Sequence, residues 1–222
     1  MVYSDDSSVA DSDDSSVAQS PTSKYKEFIF AGTVTLYVGP HRKKMEIHKK
    51  LLADISPELN KLINNDMKEG IEGIIRLPEE GEDMLSLFTE WAYTGEYEMM
   101  QPPKQRNIWS VPRMHLELYV FSDKFNIPTL RELVKAKLYI EICFISVEDD
   151  DHVLDLISIL EYAYDNLSDW DPVCLYLARY SASKLKVLRS RDEFIEFASN
   201  QPEFMKEFLE NLTSSSTGPS PL

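Results

Sequence analysis

The chain has 222 residues, 43% of them apolar and 11% aromatic, enough to build a core and too apolar for a wholly disordered chain. Its 38 acidic side chains outweigh 23 basic ones, giving a formal net charge of -15. Phosphate backbones are bound by Lys and Arg that release counterions, so direct contact with nucleic acid or an anionic membrane surface is not expected. Two cysteines are too few for a disulfide framework. Cys143 and Cys174 sit in apolar, helix-like sequence and are read as buried free thiols. No apolar run reaches the ~18 residues of a membrane helix, and no basic start precedes an apolar stretch. An intracellular protein, cytoplasmic or nuclear, is the expectation.

Residues 1–23 carry S-D-D-S-S-V-A twice, with no Lys or Arg before Lys24. Such an arm cannot offset its ordering entropy and is expected to be a disordered tail, either a solubilising one or, at Ser8 three residues before Asp11, a kinase substrate. Lys24 to Phe30 reads as an extra strand, with Phe28 and Phe30 on one apolar face that is either buried in the chain's own sheet or offered to a second copy. Val34, Leu36 and Val38 then alternate with Thr33, Thr35 and Tyr37, and Met45-Glu46-Ile47 resumes the alternation after Gly39-Pro40, which predicts a hairpin. From His48 the period becomes helical through Leu51, Leu52, Ile55 and Leu59, with Pro57 ending a short helix or beginning a second. Ile74 to Leu77 reads as a third strand. Met84, Leu85, Phe88 and Trp91 form a helical stripe closed by Gly95. The basic island His41–Lys50 is either a solvated hairpin tip or a patch for an acidic partner or import receptor. His48 has no second ligand at metal spacing and reads as a packed, hydrogen-bonded histidine.

Residues 96–114, with Pro102, Pro103, Pro112, Met99, Met100 and Trp109, read as a long loop, either a partner contact through exposed Trp or Met or a mobile insertion. From His115 a helix with Leu116, Tyr119 and Val120 inward is expected. A second opens at Pro128 with Leu130, Leu133, Val134, Leu138 and Ile142 inward. Asp149-Asp150-Asp151 marks a linker to a helix faced by Val153, Leu156, Ile157, Leu160 and Tyr164. Asp171-Pro172 is an N-cap and first-turn pair for a helix through about Leu188. Ser190 and Glu193 have capping-box spacing, and Pro202 opens a last helix carrying Phe204, Phe208 and Leu212. Residues 213–222, rich in Ser, Thr, Gly and Pro, read as a second tail.

The order H-K-K-L-L-A-D-I-S-P-E-L after the hairpin, W-A-Y-T-G after the next long helix, and H-L-E-L-Y-V-F-S-D-K-F-N-I-P-T-L further on resembles the BTB/POZ domain over residues 30–144. E-Y-A-Y-D-N and L-A-R-Y further resemble BTB proteins of filamentous fungi. The resemblance implies an α+β fold, a small three-stranded sheet capped by helices, within a domain at 24–146, followed by a helical extension at 147–212. It also implies protein partners: a second copy, exchanged through a strand holding Phe28 and Phe30, or a cullin of a ubiquitin ligase. In cullin-binding relatives the contact surface maps here to Leu85, Phe88, Glu90, Tyr93, His115 and Tyr119. Phe88-Thr89-Glu90 has the letters of an apolar-x-Glu motif, although Phe88 equally fits the core stripe. BTB transcription factors commonly carry Asp where this chain has Thr33, facing a basic residue matched by Lys49, so the charged corepressor pocket is not expected.

No nucleotide-binding glycine loop, H-E-x-x-H, C-x-x-C or G-x-S-x-G pattern occurs. No catalytic residues, metal or cofactor are expected, and a non-enzymatic scaffold or adaptor is the leading reading. The alternative is a transcriptional regulator acting through protein partners, since no DNA-binding motif is present.

Overall fold

Val34, Leu36 and Val38 turn inward from β1 (Thr33–Val38) and are almost completely buried, as their alternation requires. The computed structural model describes residues 26–64, 71–99, 108–147 and 150–214. Gly39, at φ 69°, begins the turn into β2 (Lys43–His48), which pairs antiparallel with β1 from Thr33 opposite His48 to Val38 opposite Lys43. β3 (Ile74–Leu77) lies parallel on the other side of β1, so the sheet order is β2-β1-β3. A parallel neighbour needs a crossover, and α1 (Lys49–Ile55) and α2 (Pro57–Asn64) lie within it. Pro57 begins the second of these helices. Ser56 ahead of it accepts the Leu59 N–H at 3.0 Å and donates its hydroxyl to the Phe125 carbonyl. The crossover is thereby tied to α4.

α3 (Glu82–Thr94) buries Met84, Leu85, Phe88 and Trp91, and Gly95 closes it at φ 83° with its N–H 2.7 Å from the Trp91 carbonyl. α4 (Ser110–Lys124) and α5 (Pro128–Phe144) meet at a tight corner around Asn126, which has φ 49°. The remaining helices are α6 (Asp150–Asn166), α7 (Pro172–Ser183), α8 (Leu185–Leu188), α9 (Asp192–Asn200) and α10 (Pro202–Ser214). The result is the expected α+β arrangement of a small mixed sheet and many helices, consistent with a BTB-like fold. One continuous apolar core runs from Phe28 through the sheet to Phe208 of α10. Among the described residues no helix is long and apolar enough to cross a membrane.

Several sequence expectations are corrected. Residues 26–29 form a helical turn rather than a strand. Phe28 enters the chain's own core while Phe30 is 89% exposed, so the two do not share a face. The expected loop at 96–114 ends earlier, because α4 begins at Ser110 and Pro112 sits in its first turn, where a missing N–H costs nothing. The middle of that loop, 100–107, the expected N-terminal tail, residues 215–222 of the C-terminal one and Asp149 of the acidic linker lie outside the described residues, while α10 runs to Ser214, through the first two residues expected of that C-terminal tail. α7 stops at Ser183 before the separate short α8. No capping box forms at α9: Arg191 is its N-cap, and the Ser190 hydroxyl donates back to the Val187 carbonyl at 3.1 Å. Cys143 is exposed, whereas Cys174 is buried and its thiol is pushed up to about 12, first by desolvation.

Candidate functional site

The helices after α5 are clamped to α4 and α5 by polar groups at a buried joint. Asp171, 4% exposed, accepts the Val173 N–H at 2.8 Å and so caps α7. The same carboxylate accepts the Tyr119 hydroxyl at 3.1 Å and the Arg131 guanidinium at 2.6 Å. Burial, then the Asp171 charge, raises the Tyr119 phenol well above its ordinary range. Alongside, Tyr139 of α5 stacks on Tyr176 of α7 with centroids 4.0 Å apart and donates to the Pro172 carbonyl at 2.7 Å. Trp109, expected as an exposed contact, is 2% exposed and packs edge-on against Tyr180. Arg113 of α4 lies 3.9 Å over the Tyr162 ring of α6.

The six candidate contact residues separate by burial. Leu85 and Phe88 are core side chains at 1% exposure, with Phe88 4.8 Å from Phe121 by ring centroid. Tyr119 is committed to Asp171, and His115 is 2% exposed. A side chain with so little surface offers a partner no area, so these four are corrected to core positions. Only Glu90, exposed, and Tyr93, half-buried, remain outward near the end of α3. The Tyr93 hydroxyl lies 2.7 Å from Nδ1 of His48, which is the packed, hydrogen-bonded histidine expected. In the basic island Lys43 pairs with Glu82, Lys44 with Glu46 and Lys50 with Asp54, so much of its charge is met locally.

Nδ1 of His115 lies 2.8 Å from the Tyr97 hydroxyl. Burial, and secondarily the charge of Lys137, lowers the His115 imidazole from 6.5 to about 4. The unfolded chain therefore binds this proton more readily than the folded one. The stability it contributes is complete above pH 6.5 and falls as pH drops toward 4, a loss of about 3 kcal/mol in all. Urea midpoints at about pH 7.5 and about pH 4.5 should show a smaller acid loss for His115→Gln than for the wild type. Equal losses would assign the acid sensitivity to other groups. Among the described residues no group of three or more His, Cys, Asp or Glu could hold a metal.

The fold is BTB-like, a small mixed sheet with many helices, and a sequence comparison finds a distant likeness in the same direction. No family model matches the chain. A BTB/POZ domain-containing protein of Arabidopsis thaliana is 23% identical over 163 residues, covering 73% of this chain. The chain spans 58% of that relative's length.

Proposed function

We propose that the chain is a non-enzymatic protein-interaction module, and in its sharper form a substrate adaptor that docks a cullin through the end of α3. What supports this reading is that Glu90 is exposed and Tyr93 half-buried near the end of α3, in a BTB-like frame whose other candidate residues are buried. In this reading residues 24–146 form the BTB/POZ domain, and α6–α10 extend it to receive a substrate. The motifs that carry the fungal likeness, E-Y-A-Y-D-N and L-A-R-Y, supply Tyr162, Tyr164 and Tyr180. Tyr162 and Tyr180 pack on Arg113 and Trp109, outside the extension, while Tyr164 packs on Phe204 within it, so we read that likeness as one of how the extension is built and attached.

The test is light scattering of the full chain, alone and titrated with a cullin N-terminal domain. Glu90→Lys and Tyr93→Asp should each weaken a cullin complex by about tenfold or more with the circular dichroism spectrum retained. A homodimer indifferent to the cullin would replace the adaptor by a scaffold. A monomer that ignores it would remove both.

A further inference from the structure

α5 carries an outward apolar row that the core does not use. Ile140 is 56% and Phe144 85% exposed, and a separation of four residues puts them on one helical face. Beside Ile140 a cleft of about 310 Å³ opens between α5 and the segment after α3, with Tyr97, Met99 and His115 among its lining. Glu98 and Glu141 line the same cleft. Glu90 joins them through its carboxylate, which accepts the Glu98 N–H at 3.3 Å.

The one ammonium lining the cleft, Lys137, is already engaged: it donates to Glu96 at 2.9 Å and to the Tyr97 carbonyl at 2.7 Å. Among the described residues no basic side chain pairs with Glu90, Glu98 or Glu141. An apolar row and cleft flanked by carboxylates that pair with no described basic side chain complements an apolar stripe flanked by Lys and Arg. Strand addition is not the geometry, because the sheet's edges are β2 and β3 and the cleft is bordered by α5. A helix laid along α5 would set one apolar side chain beside Ile140 and another, one turn on, over Phe144.

We propose that the α5 face and its cleft dock a basic amphipathic helix of a partner protein, which deepens and rests on the interaction-module reading. The probes are two helical peptides of about 18 residues sharing one leucine stripe, one with Lys at its remaining positions and one with Glu. Titrated against the full chain by fluorescence anisotropy, the Lys peptide should bind at least about tenfold more tightly than the Glu peptide. Ile140→Asp should abolish that binding, and Glu98→Lys with Glu141→Lys should invert the preference. All three positions are outward, so circular dichroism should stay unchanged.

Lys-peptide binding indifferent to Ile140→Asp and to the charge swap would be general attraction to an acidic chain and would overturn the proposal. So would no binding of either peptide, or a homodimer in light scattering that Ile140→Asp dissolves. The cullin titration and the oligomeric state test the underlying reading separately. A chain that binds a cullin but neither peptide sinks only the α5 site.

Discussion

Phe204→Ala should be the most damaging single substitution in the C-terminal helices, costing about 3–5 kcal/mol. Phe204 is completely buried, and its ring centroid lies 4.9 Å from Phe197, 5.4 Å from Phe208, 5.6 Å from Tyr164 and 5.9 Å from Phe194. Truncation leaves a void bounded by four rigid rings held on α6, α9 and α10, which cannot all move inward together. Each ring also loses an edge-to-face or tilted partner, worth about 0.5–1.5 kcal/mol beyond the buried area. For a chain of this size the thermal midpoint should fall by about 10 °C. Leu209→Ala on the same helix, at a side chain 52% exposed, should stay within about 0.5 kcal/mol. Thermal denaturation of the two variants checks the contrast. A Phe204→Ala midpoint within about 2 °C of wild type would mean the cluster is not the core of these helices.

The sequence carried the periodic parts of this architecture because each is written in neighbouring residues. Val34, Leu36 and Val38 alternate, Met84 to Trp91 form a stripe, and Gly95 and Pro128 punctuate helix ends, and all do so in the structure. What stayed illegible depends on residues far apart in the chain. Trp109 follows a proline-rich stretch and reads as exposed, and its burial is set by Tyr180 on α7. Tyr119 already fell on the inward stripe of α4, and it was the resemblance that also gave it and His115 to a contact surface; for His115 the period identifies only one inward face. That helix is instead packed against α3, α5 and α6, so it has more than one inward face. The turn at residues 26–29 shows the opposite failure. Two phenylalanines spaced by two suggested a strand, yet only Phe28 found apolar neighbours. At the candidate surface, Glu90 and Tyr93 came from the motif around them, and the structure leaves both with some surface. The α5 row was not, since Ile140 and Phe144 are merely apolar positions on a helix whose core face is set by Leu130, Val134, Leu138 and Ile142.

Asp171→Ala should destabilise the protein by about 3 kcal/mol, through two effects that a second substitution separates. The first is the α7 cap: the Val173 N–H loses its acceptor, at about 1 kcal/mol. The second is the joint: the Tyr119 hydroxyl, inside a side chain 1% exposed, loses its acceptor 3.1 Å away, and a buried unsatisfied hydroxyl costs about 1–3 kcal/mol. Arg131 is less affected than a fully buried partner would be, because its side chain is 33% exposed and its Nε lies 3.3 Å from Asp123. Asp171→Asn keeps an oxygen for the cap and for Tyr119 but places an amide donor toward Arg131, so it should cost about half as much. Tyr119→Phe removes the buried hydroxyl with its need, at about 1 kcal/mol. If the joint acts as one unit, Tyr119→Phe and Asp171→Ala together should cost less than the sum of the two, by about 1 kcal/mol or more in urea denaturation. Strict additivity would show that Asp171 does not act through the Tyr119 hydroxyl. The attachment of α7 would then rest on the Arg131–Asp171 pair, the Tyr139–Tyr176 stack and the Trp109–Tyr180 contact.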